Sequence, residues 1–309
     1  MNQKLPAIPF FGSGPVAAQA LELLLDWQPI SCVITKAAPP HHKDPAPVEQ
    51  LATKHELQIY YANNRTELDA VIDSLDHPLS YGIVIDYGVI ISDYAIKSFP
   101  SGIINSHFSL LPEWRGADPL TYTILSGQQT TAISLMLIDK GMDTGDILAQ
   151  ATYDIPNAYT TPQLTQDLID LSDATLREII PLWHQGQCIP IPQSNIIASS
   201  GRKPTYSAKI SKQDGVIDTG KDVTELERQI RAYSGWPGSR ILLKGTWLTI
   251  ISAVVNDTTL TAGKLAWKDK KLLLGCAKGS LEITELKPQG KNKMSASAFV
   301  NGYAHLLNS

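Results

Sequence analysis

Through the first half of the chain, short apolar runs alternate with amphipathic stretches. Ala7–Phe11 is an apolar run closed by Gly12-Ser13-Gly14. Pro15 to Trp27 then reads as a helix, with Val16, Ala20, Leu23, Leu24 and Trp27 on one face and Pro15 in a first turn where its missing N–H costs nothing. Strand-like runs follow at Ile30–Thr35, Gln58–Tyr60, Leu79–Ile85 and Gly102–His107, and helical patterns at Val48–His55, Arg65–Ser74 and Asp93–Ser98. This is the βαβ rhythm of a Rossmann-like α/β fold with an open, mostly parallel sheet. Pro119–Ser126 predicts a helix, Ala132–Asp139 and Ile147–Tyr153 two strands, and Thr161–His184 a long helix burying Leu164, Leu168, Leu171, Leu176 and Ile179.

The texture changes at Gly186. Pro190, Pro192 and Pro204, with Ser199-Ser200-Gly201, read as a linker. Val223–Tyr233 predicts one more helix. Five short β-runs then crowd together: Arg240–Leu243, Trp247–Val255, Gly263–Trp267, Lys271–Cys276 and Ser280–Lys287. That count fits a small OB-like barrel. The expected division is 1–188 for a catalytic domain, 189–206 for the linker and 207–309 for the β domain.

At 309 residues, two domains are favoured over a single core. No run of about 20 apolar residues is long enough to span a bilayer. Met1 to Pro6 is polar with one Lys, so no secretory leader is expected. Cys32, Cys188 and Cys276 are odd in number and far apart, which fits neither a disulfide framework nor a zinc site. Cys32 and Cys276 lie in apolar runs and are expected to be buried thiols of a cytoplasmic protein. Charge divides the chain further. Residues 1–200 carry 9 Lys/Arg against 21 Asp/Glu, whereas residues 201–309 carry 17 against 9. A basic tail domain on an acidic body is compatible with a polyanionic partner.

The candidate chemistry lies where Gly102–His107 ends. Open α/β sheets take their ligands beyond the carboxyl ends of the strands. Side chains alternate along a strand, so Asn105 and His107 share a side. A carboxamide donor then stands beside a group that titrates near neutral pH. A lone strand-end histidine most often bonds a carbonyl, and Asp143, between Gly141 and Gly145, is a common turn residue. Their combination is what suggests catalysis. Gly12-Ser13-Gly14-Pro15-Val16-Ala17 also spells the G-x-G-x-x-A of a dinucleotide site, a weak signal alone. The second strand ends at Thr35-Lys36, without the acidic residue that a ribose calls for. His41-His42 is an adjacent pair in a Pro-rich loop, with no metal-ligand spacing.

Asn105-Ser106-His107-Phe108-Ser109-Leu110-Leu111-Pro112 resembles the Asn-x-His-x-Ser-Leu-Leu-Pro segment of the 10-formyltetrahydrofolate-dependent formyltransferases, and Met142-Asp143-Thr144-Gly145-Asp146 resembles their Asp-Thr-Gly-Asp loop. The spacing from His107 to Asp143 also matches. Tyr206-Ser207-Ala208-Lys209-Ile210, Asp214-Gly215-Val216-Ile217-Asp218, Trp236-Pro237-Gly238 and Met294-Ser295-Ala296 are similar to the branch of that family acting on methionyl-tRNA. The resemblance implies a formyltransferase fold, Asn105, His107 and Asp143 as catalytic residues, and Ser109, Leu110, Leu111 and Pro112 around the folate. It implies 10-formyltetrahydrofolate as co-substrate, no metal, initiator methionyl-tRNA as acceptor and a monomer. Lys264, Lys268, Lys270, Lys271, Lys291 and Lys293 are the expected phosphate contacts. Departures from the family pattern stand at Phe108 and Asp118, at Asp86 and Ser92, and in the loop 36–43. Rival acceptors are an amino sugar nucleotide, glycinamide ribonucleotide or water. A non-catalytic tRNA-binding protein is a further reading.

Overall fold

A computed structural model describes residues 4–38 and 45–307, so His41-His42 and most of the 36–43 loop lie outside the described residues. In chain order the elements are β1 (Ile8–Phe11), α1 (Pro15–Leu24), β2 (Ile30–Thr35), α2 (Pro47–Lys54), β3 (Ile59–Tyr61), α3 (Arg65–Asp73), β4 (Gly82–Val84), α4 (Asp93–Lys97), β5 (Ile103–His107), β6 (Arg115–Gly116), α5 (Pro119–Ser126), β7 (Thr130–Leu137) and β8 (Ile147–Asp154). They continue with α6 (Thr161–His184), α7 (Gln193–Ser200), β9 (Tyr206–Ser207), α8 (Val223–Ala232), β10 (Ser239–Leu243), β11 (Thr246–Asn256), β12 (Leu265–Lys268), β13 (Lys271–Gly275), β14 (Ser280–Pro288), β15 (Met294–Ser295) and α9 (Ala296–Gly302). No described helix is long and apolar enough to cross a membrane.

The chain forms two compact units. The first comprises Met1–Pro119, Thr130–Asp154 and Thr165–Ser207. Its seven-stranded sheet runs β3-β2-β1-β4-β5-β7-β8. The ladders from β3 to β5 are parallel, and those joining β7 to β5 and to β8 are antiparallel. The chain moves outward from β1 to β3, then returns to β4 on the other side of β1. Strand order therefore reverses between β1 and β4, which opens a crevice at their carboxyl ends. α1 buries Ala17, Ala20, Leu21 and Leu24. Of the face expected for it, Ala20 and Leu24 are buried, while Val16, Leu23 and Trp27 are only half-buried.

The second unit comprises Leu120–Gln129, Ile155–Leu164 and Ala208–Ser309. Its antiparallel sheet follows the path β10-β11-β14-β13-β12, with β15 added to β14. α8 and α9 contribute Val223, Leu226, Ile230 and Phe299 to a core with Leu248, Leu272, Leu274 and Leu281. Two pieces of the expected catalytic domain belong here, 120–129 and 155–164. Hydrogen bonds explain them: Arg231 donates to the Tyr159 carbonyl at 2.9 Å, Thr161 Oγ1 to the Ala232 carbonyl at 2.7 Å and Arg228 to the Ser126 carbonyl at 3.4 Å.

The stretch 189–206 differs from the linker expected there. It holds α7 and belongs to the first unit. Ile191 exchanges two backbone hydrogen bonds of 2.8 Å with Ile147 at the start of β8. The prolines and Gly201 punctuate a helix here: Pro192 is its N-cap and Gly201, at φ 69°, its left-handed C-cap. Cys32 and Cys276 are buried free thiols, as expected.

Candidate active site

β5 points its side chains to alternate faces. Ser106 faces α6, its hydroxyl 2.7 Å from that of Ser172. Asn105 and His107 therefore face the other way together. Val84 of β4 and Met136 of β7 flank Asn105 in register. Among the described residues the Asn105 carboxamide has no protein hydrogen bond, so its N–H is open to a ligand. His107 is buried, and its Nε2 donates to the Trp114 carbonyl at 3.0 Å. A carbonyl only accepts, so the proton of the neutral ring sits on Nε2. Nδ1 then faces Asp143, with 3.8 Å to its Oδ2. That is too long for a hydrogen bond and short enough for an ion pair once Nδ1 takes a proton.

The loop carrying Asp143 is held from several sides. Asp139 accepts from the Gly141 N–H at 2.9 Å and from Thr144 Oγ1 at 2.7 Å. The Gly116 N–H donates to Asp143 Oδ2 at 2.7 Å. Gln193 Nε2 donates to the carbonyls of Asp143 and Gly145, both at 2.9 Å. Two glycines are required here. A Cβ on Gly145 would stand 1.7 Å from the Leu137 carbonyl, and one on Gly116, at φ 114°, 2.3 Å from the Ser207 carbonyl.

The segment 109–116 is stapled to its surroundings. Ser134 Oγ donates to the Ser109 carbonyl at 2.6 Å and accepts from the Leu111 N–H at 3.1 Å, and Gln150 donates to the Leu111 carbonyl at 2.8 Å. On its other side β6 pairs with β9, and Thr205 Oγ1 takes the Trp114 N–H at 2.9 Å. Of the four residues expected around a folate, Ser109, Leu111 and Pro112 are buried and Leu110 is half-buried. Leu111 packs with Met136 and Ile147 in the interior. Phe108, where the family pattern has Pro, is buried as well. Sequence reasoning missed Trp114 and Gly116 as partners of the histidine and the aspartate, although both follow directly on the quoted Asn105–Pro112 segment. It missed Gln193 altogether.

Asp86 marks the crevice between β1 and β4. Its carboxylate packs against Gly14, where a Cβ would meet Oδ2 at 2.1 Å. Asp86 keeps access to water, yet the protein around it desolvates its carboxyl and pushes the pKa from 3.8 up to about 6; the Asp118 charge adds to the rise and Lys36 opposes it. A carboxyl raised in the folded state opposes folding when ionised. That penalty is absent below the unfolded value of 3.8, grows as pH rises towards about 6 and is constant above. Asp86→Asn is therefore expected to raise the unfolding midpoint at about pH 8, with the gain fading near about pH 4. Thermal unfolding of both proteins at the two pH values checks it.

Comparison with known proteins decides the family. Residues 16–180 match the family model described as formyl transferase, and residues 209–304 match the formyl transferase C-terminal domain. The chain belongs to the formyl transferase family. A methionyl-tRNA formyltransferase of Methylococcus capsulatus is 34% identical over 268 residues, 84% of this chain and 83% of that protein. One of Chloroflexus aurantiacus is 32% identical over 304 residues, 95% of this chain and 96% of that protein. A solved sugar 3N-formyl transferase, determined with dTDP and 5-N-formyl-THF, superposes with a TM-score of 0.67 at 18% identity, covering 94% of this chain and 100% of that one. That likeness establishes the formyltransferase fold alone. This formyl transferase thus carries both domains of its family, and its β5 ends with Asn105 and His107 on one face and Asp143 3.8 Å from the histidine.

Proposed function

We propose that this formyl transferase moves the formyl group of 10-formyltetrahydrofolate to the α-amino group of methionyl initiator tRNA, acting as a cytoplasmic monomer that prepares the tRNA for translation initiation. The observation that carries the reading is the open Asn105 carboxamide beside the His107–Asp143 pair, in a chain whose relatives across both domains are methionyl-tRNA formyltransferases. The acceptor amine, once it has lost a proton, attacks the formyl carbon. A C–N bond forms to the methionine nitrogen, a tetrahedral oxyanion develops, and the bond to the folate nitrogen breaks as that nitrogen gains a proton. Asn105 donates its N–H to the oxyanion. Such a donor lowers the barrier by about 2.7–4 kcal/mol. His107 exchanges the proton through Nδ1, the nitrogen that Trp114 leaves free, and Asp143 stabilises the imidazolium that results. The buried set Ser109, Leu111 and Pro112 gives the folate wall its shape, and Leu110 supplies side-chain contact.

The basic second unit supplies the RNA contact in this reading. Lys268 and Lys270 stand exposed at the β12–β13 turn, and Lys291 is exposed beyond β14. Lys271 and Lys293 are already paired, at 2.7 Å with Glu282 and 3.5 Å with Glu285, and count for less. Changing Lys268, Lys270 and Lys291 together to Ala is expected to weaken tRNA binding and flatten its dependence on log salt by about 2–3. Binding titrations between about 50 and 200 mM salt measure this. The reading itself is tested by incubating the protein with radiolabelled 10-formyltetrahydrofolate and methionyl-tRNA: label should enter the RNA-linked amino acid, and its absence there overturns the assignment.

A further inference from the structure

Gln193 makes contacts unlike those of an ordinary helix-terminal residue. Gln193 opens α7 two residues beyond the isolated antiparallel bridge between Ile191 and Ile147. Its side chain is 3% exposed and fully engaged. Nε2 donates to the carbonyls of Asp143 and Gly145, and Oε1 accepts from Arg115 Nη2 at 2.6 Å. A guanidinium only donates and a carbonyl only accepts, so the orientation of this amide is unambiguous. Arg115 is itself buried, and the next residue, Gly116, donates its N–H to Asp143 Oδ2 at 2.7 Å. A closed ring results. Asp143 is gripped at its carboxylate by Gly116 and at its carbonyl by Gln193, and Arg115 joins the two grips.

The ring has a reason to exist. Asp143 holds φ 51°, a left-handed conformation that a residue with a Cβ keeps only when its surroundings fix it. Its neighbour Met142 is 63% exposed. We infer that Gln193, oriented by Arg115, is a positioning residue for formyl transfer, holding Asp143 at its distance from His107. The inference rests on the reading that Asp143 takes part in the reaction.

The alternative is that Gln193 merely seats the start of α7. Gln193→Glu separates the two roles, because it keeps the shape and the Arg115 partner and loses both donors to the loop carbonyls. Gln193→Ala removes the whole grip. Both variants are expected to lower kcat by about 10- to 100-fold, the scale of a displaced catalytic group, with KM for both substrates little changed. Hydrogen–deuterium exchange supplies a readout independent of turnover: exchange across 139–146 should quicken in both variants while β5 stays protected. Wild-type kcat in Gln193→Glu, or unchanged exchange across 139–146, overturns the inference. A wild-type protein inactive with methionyl-tRNA would overturn the proposed function instead, and the exchange measurement would still decide whether Gln193 holds the loop.

Discussion

Replacing His107 with Ala should lower kcat by about 10²–10⁴-fold, the range of a positioned proton-transfer group. His107 lies on the same side of β5 as Asn105, and its Nδ1 is free of the Trp114 contact that occupies Nε2. Asp143→Asn should give a loss in the same range. That substitution keeps an oxygen for the Gly116 N–H and so leaves the loop in place, while removing the charge 3.8 Å from Nδ1. Because the two residues act as a unit, the double variant should be scarcely worse than either single one. Steady-state kinetics of the three variants provide the comparison. Full activity in His107→Ala would remove the histidine from the mechanism, and additive losses would separate the two roles.

Asn105→Ala carries the second large effect. An oxyanion donor acts only as charge develops in the transition state, so kcat should fall by about 10²–10³-fold with KM nearly unchanged. The Asn105 carboxamide makes no protein hydrogen bond among the described residues, so its loss should leave the unfolding midpoint close to wild type. A raised KM with normal kcat would instead make Asn105 a ground-state binding group.

Much of this site was legible in the sequence because strand alternation is a strict geometric rule. Asn105 and His107 had to share a face once β5 was recognised, and Ser106 meeting Ser172 is the other half of that rule. Long periodic elements were equally readable: α5 and α6 run over Pro119–Ser126 and Thr161–His184, the bounds expected from their patterns. Short elements without periodicity were not. β6 and β9 have two residues each, too few to show alternation. β4 was expected over Leu79–Ile85 and forms only at Gly82–Val84, because its apolar residues continue past the part that pairs with β1 and β5.

The stretch 189–206 failed for a different reason. Three prolines and a glycine have the composition of a linker, yet Pro192 and Gly201 among them cap a helix. Which applies depends on the bridge between Ile147 and Ile191, a contact across 44 residues that no local pattern encodes. Gln193 was hidden with it. The assignment of 120–129 and 155–164 to the second unit rests on side chains such as Arg231 and Thr161, again far apart in sequence.

The family is fixed by both domains, and the acceptor is what distinguishes its members. The structural likeness to a sugar 3N-formyl transferase speaks to the shared fold, and the relatives named for methionyl-tRNA, matched along nearly the whole chain, carry the choice. The most direct test offers the purified protein 10-formyltetrahydrofolate with methionyl initiator tRNA, an amino sugar nucleotide and glycinamide ribonucleotide in parallel, and compares kcat/KM. The account predicts transfer to the methionyl-tRNA, with the other two acceptors slower by orders of magnitude. Turnover of the amino sugar nucleotide with none on the tRNA would contradict it.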